Sequence, residues 1–316
     1  MIKKKIILLL TTLAFFSCNE EINYRTPFEE KPILYCVLDA DDNTQYVMLK
    51  KSYFERMDEN KNFISDAKVQ FIRNNETIEL RDTIILIEGN EISMYYTKDF
   101  SPNLGEKVKV KAILNSGKVI ASQIVVPEFT KFYIDQLNLI IPPTIRPEFM
   151  YTSWTLRNAN DNLSYLPRLT IHYKVRKNDI ETEHIYEIPD EYVIKGNIRI
   201  PIYPLTTQNQ YYTYWQKTMN TAFMEISRGD ENKSDYTIQY VNLKVYIMEK
   251  NLAAYSASIE SFNRGYTVKV YETTISNIDG GLGVFGAYVK RGKRILLDED
   301  FVTSFGYKVE PDAVIK

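Results

Sequence analysis

Histidine, cysteine and long apolar runs are scarce in this 316-residue chain, and each scarcity excludes a class of function. The two histidines, His172 and His184, belong to no H-E-x-x-H pattern, and no paired cysteines accompany them, so we expect no metal site. The chain also lacks G-x-S-x-G, and its carboxylates are scattered without a recognisable pair. We therefore expect a non-enzymatic protein without a cofactor, with carboxylate-pair hydrolysis as the alternative.

Neither sign of charge dominates the sequence. It has 39 basic and 41 acidic residues and a net charge of −2, with acids and bases interspersed. This balance predicts no nucleic-acid partner. The length is sufficient for about two domains.

The first seventeen residues have the order of a secretory signal. Lysines at positions 3–5 precede an apolar run over residues 6–16, and Ser17 stands directly before Cys18. The run is about eleven residues long, whereas a membrane-spanning helix needs about 20. We expect residues 1–17 to be removed. Residues 15–18, which end in Cys18, resemble a bacterial lipobox, although Phe15 stands where leucine is usual. An ordinary secreted protein is the alternative.

Lipidation of Cys18 would attach the mature chain to outer-membrane lipid through acyl chains such as palmitate, without a spanning helix. The following Asn19, Glu20 and Glu21 resemble the acidic signal by which Bacteroidota export lipoproteins to the cell surface, and a solvated tether is the alternative. Residues 18–31 read as a tether. The remaining cysteine, Cys36, lies in an apolar run and is expected in a core.

Residues 32–127 are predicted to form an immunoglobulin- or fibronectin-like β-sandwich. Short segments rich in β-branched and aromatic residues alternate with clusters of Asn, Asp, Gly and Pro, which is typical of antiparallel strands. Pro127 ends the last strand, and we place the domain boundary there. The predicted strands cover residues 33–39, 46–53, 67–73, 77–80, 84–88, 93–96, 107–114 and 119–126.

Residues 128–316 are predicted to form a second β-rich domain with one helix near residues 251–263, capped by Asn251 and ended by Gly265. Three prolines make residues 135–147 a crossover between the domains. A change of phase near Asn242 indicates a bulge. The predicted strands cover residues 150–157, 169–176, 183–188, 198–202, 236–248, 266–271 and 284–297.

Four glycines, Gly280, Gly281, Gly283 and Gly286, predict a tightly bent corner dictated by the backbone. They satisfy G-x-G-x-x-G, but strand residues follow where a phosphate-binding loop needs a helix, so nucleotide binding is rejected. Residues 39–50 imitate a calcium loop without its required Gly and Glu, and a hairpin turn explains them; calcium stays a weaker alternative.

Aromatic residues are the remaining signal. The run Tyr211, Tyr212, Tyr214 and Trp215 offers rigid, amphipathic contact area of the kind found in binding surfaces. Ordinary packing of a strand in a sandwich is the alternative.

Several stretches together resemble a family: Cys18 with its tether, Ser52-Tyr53 followed by residues 64–71, the pair Tyr211-Tyr212, and above all residues 276–286. They are similar to Bacteroidota outer-membrane lipoproteins carrying domain of unknown function 4249. The resemblance implies a two-part, mostly β lipoprotein, often encoded beside a TonB-dependent receptor, and it supplies no catalytic residues. We therefore expect an accessory subunit of an outer-membrane complex containing a TonB-dependent transporter. The alternative is a stand-alone binder of glycan or peptide.

Overall fold

The computed structural model describes residues 30–52, 62–87, 89–135, 139–196, 198–263, 275–311 and 314–315. The expected signal peptide, Cys18, the acidic residues at 19–21 and most of the tether lie outside these ranges. The strand expected at 266–271 and the helix end expected at Gly265 also lie outside them.

The part of the chain before residue 127 forms strands at every predicted position. Boundaries differ by a few residues, most at the hairpin of the fifth and sixth strands, which begin three residues earlier than predicted. The strands are β1 (Pro32–Asp39), β2 (Gln45–Lys51), β3 (Lys68–Arg73), β4 (Glu76–Glu79), β5 (Arg81–Ile87), β6 (Asn90–Thr97), β7 (Lys107–Ile113) and β8 (Val119–Val125).

The second part is also mainly β, as predicted, but it has more helix than predicted. Its elements are β9 (Lys131–Ile134), β10 (Ile140–Ile141), β11 (Phe149–Arg157), β12 (Ser164–Lys177), β13 (Ile180–Ile188), β14 (Glu191–Lys195), β15 (Ile198–Ile202), β16 (Tyr211–Trp215), α1 (Gln216–Ile226), β17 (Tyr236–Met248), α2 (Lys250–Asn263), β18 (Leu282–Asp298), α3 (Glu299–Ser304), β19 (Lys308–Val309) and β20 (Val314–Ile315).

The prediction of a single helix was wrong. Helix α1 directly follows β16 and buries Met219, Phe223 and Ile226, which recur at i, i+4 and i+7 on one face. Helix α3 begins where the Asp298 carboxylate accepts a hydrogen bond from the Phe301 amide at 2.8 Å. None of the helices in the described ranges is long and apolar enough to cross a membrane.

One large sheet joins the two predicted domains. Its strand order is β13-β12-β17-β18-β1-β2-β6-β5. Strand β18 lies antiparallel to β17 and parallel to β1, where Leu34 is opposite Gly283 and Val37 is opposite Gly286. Strands from both sides of the predicted boundary at residue 127 therefore belong to one sheet.

The first core lies between β1, β2 and β6 of the large sheet and the four-stranded sheet β4-β3-β7-β8. Phe71 is its centre, with ring centroids 4.8 Å from Phe100 and 6.5 Å from Phe285 of β18. Cys36 is buried in this core as predicted, and burial raises the pKa of its thiol. The sandwich is thus completed by residues from the carboxyl-terminal part of the chain.

The second core lies between β12, β17 and β18, the three-stranded sheet β16-β11-β9, and helix α1. Its largest fully buried side chains include Trp154, Tyr214 and Phe223. The bulge predicted near Asn242 occurs in β17, between Ile238 and Tyr240. The register shifts between His172 and Tyr173 of β12, which face Tyr240 and Ile238. The burial alternation of β17 therefore changes phase before Val241.

Candidate functional site: an exposed aromatic face

The predicted aromatic run divides between two environments because it forms strand β16. Tyr211 is 47% exposed and Trp215 is 51% exposed, whereas Tyr214 is 1% exposed. Tyr212 is half-buried against the second core. Successive side chains of a strand point to opposite faces of its sheet. Tyr211 and Trp215 are therefore at the surface, and Tyr212 and Tyr214 belong to the packing.

Strand β11 adds aromatic rings to the same exposed face. It pairs with β16 so that Phe149 is opposite Trp215 and Ser153 is opposite Tyr211. The Tyr151 ring stacks on that of Tyr211 with centroids 5.6 Å apart, and the Phe149 ring meets that of Trp215 edge-on at 5.6 Å. Together with Tyr133 of β9, these five aromatic residues form what we call the aromatic face.

Cations lie at both ends of the aromatic face. The Arg146 guanidinium carbon lies 5.5 Å from the centroid of the Phe149 ring, and that of Arg157 lies 5.6 Å from the centroid of the Tyr133 ring. These are cation–π distances. Neither guanidinium makes an ion pair with any residue in the described ranges. As far as the described ranges show, both cations can therefore meet an acidic or polar partner at the edges of the rings.

The aromatic face has a rigid support. On the reverse of the same three strands, Met150 and Trp154 are fully buried beside Tyr214. The Thr152 hydroxyl donates to the carbonyl oxygen of Tyr212 at 3.1 Å, which ties β11 to β16 from below. Side chains held on packed strands keep their relative positions better than side chains on loops. The rings are therefore preorganised for contact with a flat partner.

Sequence reasoning found Tyr211 and Trp215 but missed Phe149, Tyr151 and Tyr133. Strand alternation in residues 149–157 places Phe149 and Tyr151 on one face, so this signal was present in the sequence. The pairing of β11 with β16 was not, because these strands are about 60 residues apart in sequence.

The expected glycine corner is corrected by the structure. Only Gly280 and Gly281 lie in the turn before β18; Gly283 and Gly286 lie inside this strand. A Cβ at position 286 would lie 2.6 Å from the Leu252 Cβ of α2, and a Cβ at position 283 would collide with β1. Gly283 therefore permits close approach of β18 to β1, and Gly286 permits close approach of β18 to α2. These residues form no phosphate-binding loop.

The carboxylates of the calcium-like segment pair with side chains of β18. The Asp39 Oδ2 lies 2.5 Å from the Lys290 Nζ and accepts the Tyr288 hydroxyl at 3.0 Å. The Asp41 Oδ1 accepts from the Arg291 guanidinium at 2.8 Å. Across the described ranges, no group of three or more His, Cys, Asp or Glu side chains is placed to hold a metal ion.

Comparison with known proteins adds little to this description. No family model matches the sequence, and no curated protein matches it significantly. Among solved structures, the ectodomain of mouse nectin-like molecule 4, comprising Ig1–Ig3, is similar at 9% identity and a TM-score of 0.18, over 90% of this chain and 66% of that chain. We draw no conclusion about this chain from a similarity at this TM-score, and the resemblance to the lipoprotein family stays a prediction.

Proposed function

We propose that this chain is a surface-exposed outer-membrane lipoprotein, anchored through Cys18, that acts without catalysis as an accessory subunit of an outer-membrane complex. Its partner is a TonB-dependent transporter, to which it contributes ligand capture or assembly. The lipobox-like sequence around Cys18 and the acidic residues after it support the location. The aromatic face is the observation that supports binding most directly.

The composition of the aromatic face is that of a protein interface. Tyrosine, tryptophan and arginine are enriched among the residues that dominate binding energy, and lysine and glutamate are depleted. Trp215 and Tyr211 are both about half exposed and stand on a rigid sheet. A partner that covers them would bury large aromatic area at little cost in side-chain entropy.

Affinity purification from native membranes tests the partner. The full chain with a carboxyl-terminal tag, extracted in mild detergent, should recover a β-barrel protein detectable by mass spectrometry. The Tyr211→Ala/Trp215→Ala double variant should lose it. The control is Tyr46→Ala, because Tyr46 is also about 40% exposed and stacks on a cross-strand tyrosine, Tyr96. Recovery of the wild-type chain alone, or equal recovery by the double variant, would contradict the proposal.

Anchoring and display are tested separately. Intact mass analysis of the mature protein should give a chain that begins at residue 18 and carries acyl mass, and Cys18→Ser should move the protein to the soluble fraction. Trypsin applied to intact cells should degrade the wild-type protein. Full protection from trypsin would remove surface display and leave a periplasmic orientation.

A second candidate function is stand-alone binding of a glycan or peptide through the same aromatic face. The exposure of Tyr211 and Trp215 favours it, since burial of both would have removed its basis. The two functions are distinguished with purified Cys18→Ser protein in the absence of any barrel. Saturable binding to a polysaccharide or peptide array that disappears in the Tyr211→Ala/Trp215→Ala variant would establish the second function.

A further inference from the structure

A groove of about 310 Å³ crosses the open side of the large sheet, opposite the two cores. Its apolar lining includes Leu166 of β12, Met248 of β17 and Leu252 of α2, which form a small cluster of their own. The Tyr246 ring meets the Tyr288 ring edge-on at 5.4 Å beside them. This volume is at the lower end of the ~300–1,000 Å³ range of small-molecule sites.

Two of the cations around this groove already have partners. The Arg168 Nε lies 3.1 Å from the Glu187 carboxylate, and the Arg168 guanidinium also donates to the Pro204 carbonyl oxygen at 3.0 Å. The Lys290 Nζ lies 2.5 Å from Asp39. These contacts neutralise both edges of the groove.

Lys244, on β17 between these strands, is different. It is half-buried and lines the groove, yet its side-chain ammonium makes no ion pair or hydrogen bond with any residue in the described ranges. Its neighbours in the sheet are Arg168 on one side and Gly292 on the other. Gly292 has no side chain to cover Lys244, and both residues line a second depression on this side of the sheet.

The surroundings of Lys244 add positive charge. The Arg294 guanidinium carbon lies 4.1 Å from the centroid of the Tyr240 ring, and His172 stacks on the same ring at 4.3 Å. The pKa of His172 is lowered, first by burial and then by the charges of Lys244 and Arg294, against an opposing effect of Glu183. Lys244 and Arg294 therefore both act on His172 as positive charges.

We propose that the groove binds an amphipathic organic anion, whose acidic group pairs with Lys244 and whose apolar body lies on Leu166, Met248 and Leu252. A half-buried cation without a counter-ion is stabilised by an anionic ligand, and the apolar lining favours a hydrocarbon body next to it. This site is on a different sheet from the aromatic face, and it is independent of the proposed partner complex.

The test uses the full-length protein and 8-anilinonaphthalene-1-sulfonate, an amphipathic anion that fluoresces in apolar sites. We expect saturable binding that decanoate displaces and decanol, its neutral counterpart, does not. Lys244→Met should weaken binding at least tenfold, whereas Lys118→Met, in an exposed hairpin, should leave it unchanged. Equal displacement by decanol, or unchanged affinity in Lys244→Met, would overturn the proposal.

Two substitutions of opposite charge at the same position show whether weaker binding comes from charge or from loss of folding. Val37 lines the groove and is 38% exposed, so longer side chains fit there. Val37→Glu should weaken binding of the probe, and Val37→Lys should strengthen it. Equal effects of the two variants would also overturn the proposal, since both disturb the same strand and differ chiefly in charge.

Discussion

Gly283 lies so close to Leu34 that any side chain at position 283 would collide with the Leu34 carbonyl oxygen. The two residues are directly opposite in the parallel pair of β18 and β1. Gly283 also has a φ of +109°, a conformation that other residues rarely adopt. The pairing of β18 with β1 therefore requires glycine at position 283, both for space and for backbone conformation.

Gly283→Ala is expected to lower the free energy of unfolding by about 2–5 kcal/mol, because it adds a backbone collision to an unfavourable φ. The matched control is Gly117→Ala. Gly117 has a φ of +79° but open space around it, so this variant should cost only about 1–2 kcal/mol. Denaturant unfolding measures both. Similar losses in the two variants would contradict the expected collision.

Tyr214→Phe is expected to stabilise the protein by about 1 kcal/mol. The Tyr214 hydroxyl is buried and has no hydrogen-bond partner among the described residues, so its removal relieves a desolvation cost. Tyr95→Phe should instead destabilise the protein. The Tyr95 hydroxyl donates to the Ile64 carbonyl and accepts from the Ala67 amide, both at 2.9 Å, so this change should cost about 1–3 kcal/mol. Thermal unfolding of both variants gives the comparison.

Acid should weaken the fold through Asp230. Its pKa is lowered to about 2, first by the ion pair with Lys177 at 2.6 Å and then by donation from the Asn232 amide and the Tyr236 hydroxyl. Because the folded pKa is below the unfolded value of about 3.9, the stabilisation is present above pH 4 and lost as the pH falls towards 2. Melting temperatures between pH 5 and 2 should fall less steeply in Asp230→Asn than in the wild type.

His172 gives a second pH dependence with a different window. Its folded pKa is lower than the unfolded value of about 6.5, so its contribution to stability is complete above pH 6.5 and is lost as the pH falls through the folded pKa. Lys244→Met should raise the pKa of His172, because a neighbouring positive charge is removed. An NMR titration of the imidazole measures it, with His172→Gln for assignment; an unchanged pKa would contradict this cause.

Strand patterns were readable from the sequence because alternation reflects local burial. Strand β17 was predicted with its observed bounds, Tyr236–Met248. Strand β12 begins five residues before its predicted start and includes Pro167, a residue that is unfavourable in a central strand. In the structure Pro167 faces β17 in a stretch where β13 is not paired. Helix α1 was missed although its apolar spacing was present, because the preceding aromatic residues favour a strand.

The aromatic face could be predicted only in part, and the reason is physical. Alternation divides Tyr211 and Trp215 from Tyr212 and Tyr214, but it does not tell which set is buried. That depends on the second core, which residues distant in sequence complete. The groove at Lys244 was not predicted, since its lining comes from β1, β12, β13, β17, β18 and α2.

The pairing of β1 with β18 also determines when the protein can fold. Strand β1 cannot form its parallel pair until β18 has been synthesised, about 250 residues later. Phe285 of β18 also belongs to the first core. Contacts of such high sequence separation slow folding, because loop closure must precede them. A chain whose last tenth has not been synthesised therefore lacks both the strand that pairs with β1 and the Phe285 ring of the first core.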